Sequence, residues 1–425
     1  MAAAAIFVRR ARSAGRIFRE VHGQTGSITA AVLYVARLAA SKMLRQLRRR
    51  DRRGTQRRHT IQQVRATRAD LPADIPLVAV LVSGGLGDYL VIARFLRDLD
   101  AECGPLAFDI FASNPDQARW VFGALKAVIA CRDELSYEID HSDYNLVLRA
   151  NLVVTVERPY LALQGVRERP ALRSSAEHIE RAAVRLKPLI DQYPHWANFL
   201  AQTFVYENRN RTDSLHGMAG IGYGGDAFPI QVDDAAVARY GLRRGNYITL
   251  HNGFDPQFFV QNGRATKCYP HFGMVVRLLK RRFPELPIVQ LGTTTSDPVP
   301  EADLNLIGAT SLKEASGLVA NALLHIDNEG GLVHLARCLG VPSCVVFGPT
   351  PADFFGYAGN INISPSFCGG CWWVSRTWMD KCPRGFDVPR CMSELDPGLV
   401  ADTIGKFLDA TPSAMREVPV FRAAD

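Results

Sequence analysis

The chain has 425 residues, 47% hydrophobic and 22% charged, an ordinary globular composition with length for roughly two domains of about 150 to 200 residues. That excludes a wholly disordered chain and a small disulfide-stapled module. The formal net charge of +8 hides an asymmetry: residues 1–69 hold 17 Arg and Lys against 2 acids, a net +15, while the rest carry 33 against 40, a net −7. A basic tail and an acidic body are read as two objects.

The tail, residues 1–74, is expected to be a basic extension, helical or disordered. Its longest apolar stretch, residues 28–40, is interrupted by Arg37 and is too short to cross a bilayer, which needs about 20 apolar residues. No secretory signal is expected, because that stretch lies far from the start and no clear cleavage pattern follows. Leu33, Ala36, Ala40, Leu44 and Leu47 recur at helical spacing, with Lys42, Arg45 and Arg49 on the other face. Such a helix suits an anionic membrane surface; a solvated arm, a subunit contact and an organellar transit peptide are the alternatives. Nucleic acid is not an expected partner, since no aromatic interleaving accompanies the arginines.

From residue 75 short apolar runs alternate with amphipathic segments, which predicts an α/β fold with parallel sheets. A strand over residues 76–83 precedes a helix over 89–99. The second half reads strand 247–251, helix 272–282, strand 287–291, helix 312–321, strand 323–327, helix 332–339 and strand 343–347, with a closing helix around 399–408. Periodicity is weakest over residues 208–234, where glycines accumulate, and a domain connection is expected there. The expected division is an N-terminal Rossmann-like domain over 75–230, a C-terminal one over 231–412 and a tail over 413–425.

Three segments carry chemistry. Gly84-Gly85-Leu86-Gly87-Asp88 joins a strand to a helix; Gly85 and Gly87 let a ligand approach the main chain, and a helix N-terminus favours an anion. It fits neither the dinucleotide fingerprint nor a P-loop, and Asp88 can equally be a helix cap. In Asp327-Asn328-Glu329-Gly330-Gly331-Leu332-Val333-His334 a carboxylate can hold sugar hydroxyls while the amides of Gly330, Gly331 and Leu332 meet a phosphate; His334 can also be a core histidine. Thr266-Lys267-Cys268-Tyr269-Pro270, after a loop containing Asn252, presents a lysine able to neutralise a diphosphate. Gly340-Val341-Pro342 and Phe347-Gly348-Pro349-Thr350 are expected to shape the rim of the same cleft.

In this order the segments resemble the family 9 glycosyltransferases, typified by the ADP-heptose heptosyltransferases of lipopolysaccharide assembly. The resemblance rests on Gly85-Leu86-Gly87-Asp88, Lys267-Cys268-Tyr269-Pro270, the run from Glu329 to Ala336, Gly340-Val341-Pro342 and Phe347-Gly348-Pro349-Thr350. It covers residues 76 to about 410 and leaves out the basic tail. It implies a GT-B architecture, two Rossmann-like domains facing across a cleft. It further implies Asp88 as the base for an acceptor hydroxyl, with Thr266, Lys267, Glu329, Gly330, Gly331, Leu332 and His334 at the donor and Asn252 and Thr350 on cleft loops. Tyr269 stands where the family has Trp, and Glu329 where it has Asp, so the donor sugar need not be the standard heptose.

Of nine cysteines, Cys368, Cys371, Cys382 and Cys391 cluster as a knuckle over residues 368–391. That spacing suits a tetrahedral structural zinc or iron site; two disulfides are the alternative, and a reducing cytosol disfavours them. No catalytic metal or organic cofactor is expected. Autotransporter heptosyltransferases are relatives to which the resemblance attributes an iron-binding cysteine motif. Trp372, Trp373 and Trp378 lie within the knuckle.

The expected activity is inverting transfer of a sugar, heptose from ADP-heptose, to a cell-envelope glycan or lipid-linked hydroxyl. The alternatives are protein O-heptosylation of autotransporter serines and a catalytically silent GT-B module. Expected partners are the nucleotide sugar, a glycan, glycolipid or protein acceptor and an anionic membrane met by residues 1–69; a homo-oligomer is left open. The expected location is the cytoplasm, peripheral on the inner face of a bacterial inner membrane.

Overall fold

In a computed structural model the described residues are 74–137, 144–157, 164–255, 258, 260, 261, 264–294 and 296–411, with 18, 19, 21–23, 26–29, 31–37, 66, 71 and 72 from the tail. Of the tail's apolar stripe only Leu33 and Ala36 are described, within helical residues 31–37; Ala40, Leu44 and Leu47, like residues 413–425, lie outside the described residues. Among those described, no helix is long and apolar enough to cross a membrane.

The first sheet comprises β1 (Leu77–Val82), β2 (Ala107–Ala112), β3 (Val128–Asp133), β4 (Leu146–Ala150) and β5 (Val154–Val156). Its order is β3-β2-β1-β4-β5, parallel except for the antiparallel β4–β5 pair. β1 (LVAVLV) and β2 (AFDIFA) are apolar along almost their whole length and nearly all buried, as strands covered on both faces must be. Helix α1 (Leu86–Cys103) follows β1 directly and buries Leu90, Val91, Ala93, Phe95 and Leu99.

The second sheet holds β6 (Ile248–Leu250), β7 (Ile288–Gln290), β8 (Leu304–Asn305), β9 (Leu324–Asn328), β10 (Ser343–Val346) and β11 (Ile361–Ile363). It is parallel throughout, in the order β11-β10-β9-β6-β7-β8. Its helices are α2 (Phe272–Arg282), α3 (Leu312–Ala320), α4 (Gly331–Cys338) and α5 (Pro397–Ala410). α3 starts with a capping box: the Ser311 side chain accepts from the Glu314 amide and Glu314 accepts from the Ser311 amide, satisfying two otherwise unpaired groups.

Every strand and helix expected over residues 247–347 is present, and one further element, the two-residue β8, lies between β7 and α3. α1 begins three residues before its expected start because Gly85 sits at its cap and Asp88 accepts from the Gly85 amide in its first turn. The glycine-rich stretch over 208–234 contains the helix Ser214–Ala219 and then irregular chain. That chain is bonded to α1: Arg97 donates to the carbonyls of Gly225 and Ala227, and Gly224 N–H to Asp98. One buried cluster runs from Val78 and Leu90 through Phe228 to Val345, Phe347 and Tyr357, so the two sheets share a core.

Candidate functional site

A cleft of about 1120 Å³ opens at the carboxyl ends of both sheets, where open α/β sheets bind ligands. Two helix N-termini meet there. A Cβ on Gly331, the first residue of α4, would lie 3.0 Å from Leu86 Cβ and 3.3 Å from the Gly87 amide. A Cβ on Gly87 would lie 2.5 Å from the His334 ring. Gly84 has φ +114°, and a Cβ there would overlap the Asp88 carboxylate, so glycine is required on both grounds.

Asp88 lines the cleft from the first turn of α1. Its Oδ2 accepts from the Gly85 amide (3.0 Å) and its Oδ1 from Arg211 Nη2 (2.7 Å). Arg211 is 1% exposed, and the same nitrogen donates to the Asn151 carbonyl (3.1 Å). The Tyr193 hydroxyl donates to Asn151 Oδ1 (2.9 Å), and Asn151 Nδ2 to the Ser83 carbonyl (2.7 Å). Arg211, Asn151 and Tyr193 thus brace the carboxylate and all line the cleft. None was named from the sequence.

On the opposite wall Glu329, Gly330, Gly331, Leu332 and His334 line the cleft with Lys267. Lys267 Nζ donates to the Glu329 carbonyl (2.6 Å) and lies 3.6 Å from its carboxylate. Burial raises the Glu329 carboxyl against the opposing pull of Lys267, and the charges of Asp327 and Asp88 raise it further. Asp88 and Glu329 line the same cleft. Burial, then the positive charges of Arg94, Arg211 and Lys267, holds His334 well below the ordinary histidine range, so its ring is neutral. Asp327 does not reach the cleft: it is fully buried, bonded to His251 Nδ1 (2.8 Å) and His325 Nε2 (3.3 Å). Glu329 is the carboxylate of this run that does.

Three expected site residues lie behind the cleft wall. Thr266 is buried and its hydroxyl donates to the Trp378 carbonyl (2.6 Å). Asn252 is buried and staples its loop to Tyr269, donating to that carbonyl (3.0 Å) and accepting from that amide (3.1 Å). Thr350 is also buried. The turn carrying it anchors the knuckle, with Gly370 N–H bonded to the Gly348 carbonyl and Trp372 N–H to the Pro349 carbonyl.

The knuckle reaches into the cleft through Trp372, Trp373 and Trp378. Trp372 packs edge-on to Phe355 and Trp373 to His195, while Asn198 donates to the Gly370 carbonyl; the knuckle is held from both halves of the chain. Its four cysteines are free thiols, three half-buried and Cys391 buried. Burial pushes the Cys371 thiol up to about 11, with Cys382 and Cys368 adding to it. Cys391, pushed up to about 12 by burial, feels Cys368, Cys371 and Cys382 together. Among the described residues no three or more His, Cys, Asp or Glu side chains stand in metal-holding positions.

Two buried sheets with a shared cleft are the GT-B architecture of glycosyltransferases. Residues 288–367 match the model of glycosyltransferase family 9 (heptosyltransferase). A 51-residue segment is 37% identical to lipooligosaccharide heptosyltransferase 2 of Haemophilus influenzae, covering 12% of this chain and 15% of that protein's length. The fold is similar to the dodecameric iron-containing heptosyltransferase TibC in complex with ADP-D-beta-D-heptose (TM-score 0.52, 14% identity, 79% of this chain and 77% of that one). It is equally similar to the iron-containing dodecameric glycosyltransferase TibC of enterotoxigenic E. coli H10407 (TM-score 0.52, 13% identity, 81% and 78%). The likeness to family 9 is thus carried in sequence by residues 288–367 and in fold by the paired parallel sheets.

Proposed function

We propose that the protein is an inverting glycosyltransferase that moves a sugar, heptose from ADP-heptose, to a hydroxyl of a cell-envelope glycan or lipid-linked acceptor. The observation that carries this reading is the pairing of a braced carboxylate, Asp88, with a lysine and a helix N-terminus on the opposite wall of one cleft. Asp88 takes the acceptor proton as the acceptor oxygen attacks the anomeric carbon from the face opposite the diphosphate. The bond from that carbon to the diphosphate oxygen breaks, and ADP leaves with its charge met by Lys267 and the Gly330, Gly331 and Leu332 amides. Glu329 is placed for the donor's hydroxyls. The family resemblance and the matched segment 288–367 support the donor class.

A binding screen of ADP-, GDP- and UDP-sugars tests the donor, with ADP-heptose expected to bind most tightly. Asp88→Asn is expected to cut transfer by about 10²–10⁴-fold and leave donor binding largely intact; an active variant would remove Asp88 as the base.

A second reading, O-heptosylation of autotransporter serines, is favoured by the clustering of four cysteines within residues 368–391 and by the iron content of the similar folds. Intact-mass analysis after co-expression with candidate acceptors separates the two. Cys368, Cys371, Cys382 and Cys391 would hold a structural zinc or iron after losing their thiol protons. About one metal per chain is expected by elemental analysis, lost in Cys368→Ser/Cys371→Ser. Residues 1–69 are proposed to hold the enzyme on the anionic inner face of a bacterial inner membrane.

A further inference from the structure

His334 lines the cleft and is tied through its Nδ1 into a buried polar chain that reaches Arg94 of α1. Its Nδ1 lies 2.6 Å from the Tyr357 hydroxyl. The same hydroxyl oxygen accepts from Arg94 Nη2 (2.7 Å). Arg94 is fully buried and its Nη1 bonds Asp226 Oδ1 (3.2 Å), whose Oδ2 accepts from Arg337 Nε (2.7 Å). On the cleft side His334 Nε2 stands 3.9 Å from Glu329 Oε1, and the ring lies close to Gly87, where a Cβ would come within 2.5 Å of it.

The donor inventory of this chain has one consistent solution. A guanidinium only donates, so the Tyr357 oxygen receives the Arg94 hydrogen and its own hydrogen must go elsewhere. Among the described residues the one acceptor recorded at hydrogen-bond distance from that hydroxyl is His334 Nδ1. Burial pushes the Tyr357 phenol up to about 12, so it keeps its proton. A neutral imidazole that accepts at Nδ1 carries its hydrogen on Nε2.

We infer that the Arg94–Tyr357 pair fixes the tautomer of His334, so that the ring presents an Nε2–H to the donor side of the cleft. Tyr357 and Arg94 are then positioning residues. The consequence for the donor rests on the glycosyltransferase reading: the Nε2–H is a hydrogen-bond donor for a phosphate or sugar oxygen beside Lys267. The tautomer itself does not depend on that reading.

The test is a long-range proton–nitrogen correlation spectrum of the full chain labelled with ¹⁵N-histidine at neutral pH, with the His334 signals assigned by their loss in His334→Gln. The expected pattern is a pyridine-type Nδ1 and a pyrrole-type Nε2. A protonated Nδ1 in the wild type, with or without a protonated Nε2, overturns the inference, and this measurement needs no variant of the pair. In Tyr357→Phe the pattern is expected to become mixed or to invert, and the ADP dissociation constant to rise about tenfold, the cost of one misdirected buried hydrogen bond. An unchanged tautomer in that variant also overturns the inference. A changed tautomer with unchanged ADP affinity overturns its consequence for the donor. Wild-type protein that shows the expected tautomer but binds no ADP removes the proposed donor and leaves the tautomer assignment standing.

Discussion

At the scale of single residues, the cleft sets charged groups in surroundings that oppose their charge, and Glu329 shows this most directly. Burial raises its carboxyl above the ordinary 4.5 despite Lys267. A raised carboxyl binds its proton more tightly in the folded chain than in the unfolded one. Its contribution to stability is therefore complete below pH 4.5 and is lost as pH rises through the folded value. Glu329→Gln keeps the shape without the charge, so variant and wild type should melt together near pH 4. As pH rises toward neutrality the variant should become the more stable. A gap in melting temperature that stays constant or closes with rising pH contradicts the assignment. The same substitution is expected to weaken donor binding, because the carboxylate disfavoured by folding is the group offered to sugar hydroxyls.

At the scale of elements, the site is made where the first turns of α1 and α4 touch, and Gly87 is the test of that contact. In an isolated helix Ala at this position would gain about 1 kcal/mol over Gly. Here its Cβ would meet His334 Cδ2 at 2.5 Å, and the ring is held on its other side by Tyr357. Steric cost should win: Gly87→Ala is expected to lose about 1–3 kcal/mol, seen as a lower melting temperature together with weaker ADP binding. A more stable variant would show that the two helix ends are not in contact in solution. Both glycine segments were legible in the sequence because strand-to-helix junctions with close backbone approach demand that residue type, and residues 247–347 because buried parallel strands and amphipathic helices differ in period. Arg211, Asn151 and Tyr193 were not legible. Arg211 reaches Asp88 from 123 positions away along the chain, and Asn151 and Tyr193 support it from 63 and 105 positions away, separations at which no spacing rule applies. Thr266, Asn252 and Thr350 were misplaced for a related reason: sequence neighbours of cleft residues can face the opposite side of their loop, and these three satisfy hydrogen bonds or packing behind the wall.

At the scale of the whole molecule, the two halves are joined through buried charge as well as a common core. Arg94 belongs to α1, in the first half; Tyr357 and Arg337 belong to the second; Asp226 lies on the irregular chain between them and bonds both arginines. The backbone crosses the same boundary, with Arg211 N–H bonded to the Phe354 carbonyl (2.7 Å) and Phe228 N–H to the Cys338 carbonyl (3.1 Å). Removing the carboxylate leaves Arg94 fully buried and its charge uncompensated, a loss of about 3–5 kcal/mol for a fully buried pair. Asp226 is one-fifth exposed, so water relieves part of that cost and Asp226→Ala should fall near about 3 kcal/mol. Because the pair bridges the halves, the loss should be shared by both. Urea unfolding followed by tryptophan fluorescence, which draws on Trp120 and Trp196 in the first half and on Trp372, Trp373 and Trp378 in the second, should still coincide with unfolding followed by circular dichroism. Both midpoints should move down together in the variant. If the two probes instead separate, with only one half losing stability, the halves fold independently and the Asp226 junction does not couple them. In that case the arrangement of Asp88 and Glu329 along one cleft would depend on a hinge rather than on a shared core.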